Sequence, residues 1–454
     1  MTPDYSLTLP EKSKLKLSIG WLWLGLGSLI IAGIFSILLV LSRVPQAQNF
    51  IPWIDFFHTS IVIHVDKSVL IWFLSYGALL WTMTTRRLNG YWGNAALALA
   101  VIGTVIIGVS PFLGAGDPLM NNYVPVLRHP LFFTGLLLFG AGITLQVAGG
   151  LKVDPFKYSA GENTLRIGIY SALLITAMAI ASLYWSYREV PSSAEDHPYF
   201  EYLFWGGGHL VQFAYTQLML VSWLWLFSAL DKTLPVSPRT ITFILILGAL
   251  PVLLAPAIHY FNGSYSPEYR ANFTALMKWG GGIAALPIGV LIVSRLFRQD
   301  IAISEVQQPL KNALFASILL FGAGGALGFM THGVNTIIPA HYHGSIVGVT
   351  LAFMGLTYYL LPRFGFATPA GKLARRQPYI YATGQLIHIS GLAVAGAMGI
   401  QRKTAGAAQG LDTLSAKAVM GVMGMGGLIA IIGGMLFLIV TIKAIATKKV
   451  QAST

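Results

Sequence analysis

The chain holds ten histidines and no cysteine in 454 residues. Five of the histidines, His64, His209, His259, His341 and His343, lie in or at the mouths of apolar runs, where an imidazole is costly unless something uses it. One neutral ring nitrogen can bind haem iron or a transition metal. His341 and His343 stand two residues apart, and successive helical residues turn by about 100°, so these side chains point about 200° apart, onto opposite faces. They cannot share one small ion, but each can ligate a different haem on either side of one helix. The lack of cysteine excludes a C-x-x-C-H haem attachment, a thiolate copper site and a cysteine-held iron–sulfur cluster in this chain. Any such centre belongs on a partner.

The elements that must position these imidazoles are apolar. The chain is 55% hydrophobic and 10% charged, with a mean hydropathy of +0.68, which excludes a water-soluble globule and indicates a polytopic membrane protein. Runs of about 20 apolar residues cross a hydrocarbon core of about 30 Å. They centre near Ile30, Leu70, Val101, Leu138, Leu174, Leu218, Leu247, Ile283, Leu319, Leu351, Leu386 and Gly434. The fold class predicted is all-α, a membrane helical bundle of about twelve transmembrane helices. The first run follows Glu11, Lys12, Lys14 and Lys16 and ends without a small-residue cleavage site, so it reads as a span and not a signal peptide.

The organisation predicted is a cytoplasmic N-terminal segment at 1–16, one membrane domain at 17–446 and a cytoplasmic tail at 447–454. Charge supports that orientation. Segments placed inside hold most of the Lys and Arg, including Arg166, Arg375, Arg376 and Lys443, whereas the outer ones hold Arg43, Arg128, Arg188, Arg270, Arg402, Lys403 and Lys417. A basic inner face beside anionic lipid accounts for the net charge of +13 without nucleic acid. Loops such as Gly114 to Arg128 suit surface turns, and the glycines at Gly280 to Gly282 and Gly322 to Gly325 suit close helix packing.

On this topology the five histidines share one depth, in the outer third of the membrane, with few carboxylates beside them. Imidazoles without acids point to haem or metal. Asp66 is the only acid nearby and is expected to pair with Lys67. His129 and His332 read as structural or solvated at the outer surface, and His388 as bonded within the bundle. Lys278 either snorkels or faces a cavity.

Several segments carry a family likeness. "PAHYHGSIVGVTLAFMGLTYYLLPRFG" resembles the tenth helix of subunit I of the haem-copper oxidase superfamily, "FWGGGHLVQF" the sixth, "IHYFNGSYSPEYRANF" with "AALPIGV" the seventh and eighth, and "GIQRKTAG" the outer end of the eleventh. The resemblance implies two haems. His343 would pair with His64 on the low-spin haem, with His58 the rival, and His341 would hold the high-spin haem. His209 and His259 would bind copper or non-haem iron, and Arg402 and Lys403 would meet haem propionates. It also implies a bacterial cytoplasmic membrane, a redox partner subunit or cytochrome c carrying copper or haem c, and oxygen or nitric oxide as substrate.

The chain departs from the family pattern at identifiable places. Ile258 stands where the first histidine of a His-His pair is expected, or else Tyr260 stands at the second. Phe213 replaces a tyrosine found in many oxidases, "LPIGVL" carries no proton-channel lysine, and no glutamate follows His209. These losses argue against conventional proton pumping. Two other readings stay open: a haem-binding electron-transfer, sensing or assembly homologue without turnover, and a twelve-span secondary transporter.

Overall fold

The computed structural model describes residues 5–41, 55–85, 90–114, 116–152, 157–231, 233–297, 303–331, 333–402 and 413–447. Arg43, His332 and Lys403 lie outside them. Among the described residues, twelve helices are long and apolar enough to cross a membrane. They are α1 (Lys12–Leu41), α2 (Phe56–Thr84), α3 (Gly90–Leu113), α4 (Pro130–Gly150), α5 (Ala160–Glu189), α6 (Asp196–Ser228), α7 (Pro238–Asn262), α8 (Pro267–Leu296), α9 (Gln308–Phe329), α10 (Ile337–Arg363), α11 (Gly371–Ala397) and α12 (Leu414–Ala446). The twelve-helix membrane bundle read from the sequence is therefore the fold.

Backbone satisfaction makes helices the form such apolar runs take in lipid. Polar residues at the ends supply the remaining partners. Asp55 accepts from the His58 amide at the start of α2, Ser159 caps α5, Ser266 caps α8 and Thr413 caps α12. His129 caps α4 by accepting from the Leu131 amide at 3.2 Å, which gives it the structural role expected.

Two helices depart from regular winding where they carry polar or proline residues. A π-helical turn occupies Asp66–Ile71 within α2. A 3₁₀ stretch at Leu250–Leu254, with a proline in its first turn, breaks α7 before the segment that carries His259.

The chain divides into two compact units. One comprises Leu7–Leu218 and Pro238–Ala285, and the other Met1–Ser6, Met219–Ser237 and Leu286–Thr454. The first holds α1 to α5, α7 and a small antiparallel hairpin of β1 (Pro118–Leu119) and β2 (Val126–Leu127). The second holds α9 to α12, with α9 packed on α10 and α11 on α12.

Candidate functional site

In the first unit, His64 stands within α2 and faces α1. Its Nδ1 lies 3.0 Å from the Ala32 carbonyl and 2.9 Å from the Ser36 hydroxyl. A carbonyl only accepts, so Nδ1 carries the proton and Nε2 is the unprotonated nitrogen. Nε2 has no hydrogen-bond partner among the described residues. A metal-bound histidine usually donates its other ring N–H to a backbone carbonyl or carboxylate in this way, which fixes the ring's orientation.

His58, the rival, is committed elsewhere. Its Nδ1 pairs with Asp55 at 2.6 Å at the start of α2, with the histidine about a quarter exposed.

In the second unit, His341 repeats the His64 pattern. Its Nδ1 donates to the Gly324 carbonyl of α9 at 2.7 Å, and its Nε2 has no partner among the described residues. Gly328 makes room, since a Cβ there would stand 2.8 Å from the His341 ring. His343 turns the other way, its ring centroid 5.0 Å from that of His388 on α11. The opposite-face geometry of the H-x-H pair is thus realised against two different helices. His388 bonds the Met423 carbonyl at 2.9 Å, inside the bundle as expected. Arg402 lies half-buried just past α11.

His209 and His259, both in the first unit, differ from these. His209 also donates Nδ1–H to a carbonyl, that of Trp205, at 2.8 Å. Its Nε2, however, accepts from the Tyr123 hydroxyl at 2.9 Å. His259 has hydroxyls on both nitrogens: Ser264 on Nδ1 at 2.9 Å and Ser182 on Nε2 at 2.7 Å. Glu189 accepts the Ser264 hydroxyl proton at 2.6 Å, so the Ser264 oxygen accepts from Nδ1–H and Ser182 donates to Nε2. Trp185 stacks on the His259 ring at 5.1 Å and 19°.

Three glycines shape this region. A Cβ at Gly206 would meet the Tyr269 hydroxyl at 2.4 Å and the Ser182 hydroxyl at 2.6 Å. At Gly207 it would meet the Ala179 carbonyl, and at Gly208 the Tyr123 ring at 2.2 Å. The "GGGH" run therefore admits α5, α8 and the hairpin beside His209. Tyr123 comes from the hairpin loop, which Glu201 of α6 pins by accepting from the Asn122 amide at 2.9 Å and from its side-chain amide.

These arrangements test which groups the residues fit. His64 and His341 fit haem iron, each presenting one oriented nitrogen. His209 and His259 do not fit a second metal, because every ring nitrogen already serves a partner in the protein. Among the described residues, no group of three or more His, Asp or Glu stands together to hold a metal ion. Ile258 is half-buried and Tyr260 is 76% exposed, so neither alternative for the missing ligand supplies one.

Two smaller expectations are corrected or narrowed. Lys67 does not bond Asp66. Its Nζ donates to the Thr104 carbonyl of α3, while both Asp66 carboxyl oxygens are buried without a hydrogen-bond partner among the described residues. Adjacent side chains on a helix point about 100° apart, so the pairing is one of charge and not of a hydrogen bond. Lys278 is exposed beside Trp279, which fits snorkelling and not an interior cavity.

Composition and periodicity gave no hint of Tyr123, Ser182, Ser264, Glu189 or Tyr269. The available signal was the glycine triplet before His209, since adjacent small residues mark close approach.

The family model for cytochrome c and quinol oxidase polypeptide I matches residues 16–442. An uncharacterised protein of Rickettsia prowazekii (strain Madrid E) is 31% identical, with 93% of this chain and 94% of that protein aligned. One from Aquifex aeolicus (strain VF5) is 28% identical over 79% of this chain and 88% of its own length. Among solved structures, a haem-copper terminal oxidase dimer determined by cryo-EM matches with a TM-score of 0.71 at 16% identity, covering 98% of this chain and 86% of that one. That likeness is one of fold.

Proposed function

The chain belongs to the cytochrome c and quinol oxidase polypeptide I family, and on that premise we propose that it is a haem-containing membrane oxidoreductase subunit that reduces a diatomic gas, oxygen or nitric oxide. At the level of the superfamily it is an integral membrane, oxidase-like enzyme. The observation that carries the finer reading is the shared geometry of His64 and His341, each with Nδ1 on a neighbouring helix's carbonyl. That bond fixes the tautomer and turns Nε2 outward as an iron ligand.

Bound haem would supply one-electron chemistry, with a low-spin centre accepting electrons and a high-spin centre binding the gas. The resemblance pairs His64 with His343 on the first and gives His341 to the second. Arg402 and Lys403 would neutralise propionates by charge-assisted bonds. A partner subunit or cytochrome c carrying copper or haem c would deliver electrons, since this chain has no cysteine to hold such a centre. Phe213, buried at 2% exposure, cannot exchange a proton, which supports a reaction without conventional pumping. The segments at 1–16 and 447–454 would face the cytoplasm of a bacterial cytoplasmic membrane.

The test is a haem count on the purified protein, with reduced-minus-oxidised and carbon monoxide difference spectra. Two haems, one of which binds carbon monoxide, are expected. Protein without haem would overturn the reading.

A further inference from the structure

We infer that the second-metal position of this chain is filled by protein, so that His209 and His259 are hydrogen-bond hubs that hold no metal and haem is the centre left. The inference deepens the haem reading above and rests on it only in naming haem as the centre that remains.

Four histidines of one chain supply an internal contrast. His64 and His341 each give one nitrogen to the protein and keep one for iron. His209 and His259 give both. A metal at His209 would have to displace the Tyr123 hydroxyl from Nε2, the nitrogen that the Trp205 carbonyl leaves as the ligand. A metal at His259 would have to displace Ser182 from Nε2 or Ser264 from Nδ1.

Displacement at His209, or at Nδ1 of His259, is not a matter of turning one hydroxyl away. Tyr123 is set in place by the hairpin and its anchor on Glu201, and its ring occupies the space that Gly208 leaves open. Ser264 is held twice by Glu189, through its amide at 2.7 Å and its hydroxyl at 2.6 Å. The Trp185 indole that stacks on His259 also donates to Glu189, at 2.6 Å. Phe273, fully buried, puts its ring centroid 6.0 Å from that of His209 and 5.6 Å from that of His259. The neighbourhood that would need water or a third donor to complete a coordination sphere holds an apolar ring instead.

The donor set agrees with the geometry. Glu189 is spent on Ser264 and Trp185, which leaves two imidazoles, fewer protein ligands than the three usual at a catalytic metal site. A missing histidine at 258 or 260 and the bonds from Tyr123 and Ser182 agree in describing a closed hydrogen-bonded cluster in place of a metal site.

The experiment is a metal count on the intact haem protein from cells grown with added copper and iron, repeated after exposure to Cu⁺, Zn²⁺ or Fe²⁺ and passage over a chelating resin. Wild type and a His209→Gln/His259→Gln double variant are compared, each normalised to protein and to haem. The expected result is iron equal to haem, with no further metal present in wild type and absent from the variant. Extra metal that persists in the variant is bound elsewhere and agrees with the inference. One equivalent of copper, zinc or non-haem iron in wild type that the variant loses overturns it. If the double variant does not fold, His209→Gln alone takes its place: an extra equivalent in wild type that it loses overturns the inference, and none in wild type supports it. Absence of haem would sink the functional reading separately, without altering what the metal count says.

Discussion

The Tyr123 hydroxyl donates to Nε2 of His209 across 2.9 Å, from a short hairpin onto a membrane helix. Replacing Tyr123 with Phe removes the donor while keeping the ring, which packs edge-on to Trp205 at 5.7 Å. His209 is buried, so its Nε2 would be left without a partner, at a cost of about 1–3 kcal/mol. Unfolding in detergent should show that loss with haem content unchanged. An unaltered midpoint would mean that the bond contributes nothing.

The glycine that admits Tyr123 gives a sharper version of the same test. In Gly208→Ala the new Cβ would stand 2.2 Å from the Tyr123 ring. The helix backbone cannot yield there, so the hairpin must leave. A larger stability loss than for Tyr123→Phe is expected, with faster proteolysis between 114 and 128. Gly140→Ala is the control, because it lies inside helix α4 and a Cβ there meets nothing within 4 Å. Ala is the better helix former, so the control should hold or gain stability, and equal losses in the two alanine variants would show that the space beside Tyr123 is not the cause.

The contrast between those two glycines also explains what could be read from the sequence. The twelve spans were legible because a run of apolar residues long enough to cross lipid has one way to satisfy its backbone. The opposed directions of His341 and His343 were legible because helical rotation alone fixes them, and the structure places them against α9 and α11. Tyr123 was not, because the turn-rich segment from Gly114 to Arg128 reads as surface, and nothing local to it says that its tip folds back onto α6. Nor was the bond from Lys67 to the Thr104 carbonyl, which depends on how α3 approaches α2. Local pattern reported elements; long-range approach decided the partners of the histidines.

The two candidate low-spin ligands on α2 separate cleanly. His64→Ala should abolish the low-spin component of the reduced spectrum, because it removes the imidazole oriented by Ala32. His58→Ala should leave that spectrum intact and cost less than about 1 kcal/mol, as for other partly exposed ion pairs. A spectrum lost in the His58 variant and kept in the His64 variant would reverse the assignment.

Lys67 and Asp66 are both fully buried in a helix that crosses the membrane, yet they are joined only by charge. Lys67→Met strands the carboxylate without a counter-charge and deprives the Thr104 carbonyl of its donor, and breaking such a buried pair costs about 3–5 kcal/mol. Asp66→Asn removes the charge that Lys67 offsets. If the two side chains are coupled, the double variant is more stable than the sum of the single losses predicts, with an interaction of about 0.5–3 kcal/mol. Unfolding midpoints of the four proteins measure it. Strict additivity would mean that Lys67 acts only through the Thr104 carbonyl and that Asp66 is buried in its neutral form, independent of its neighbour.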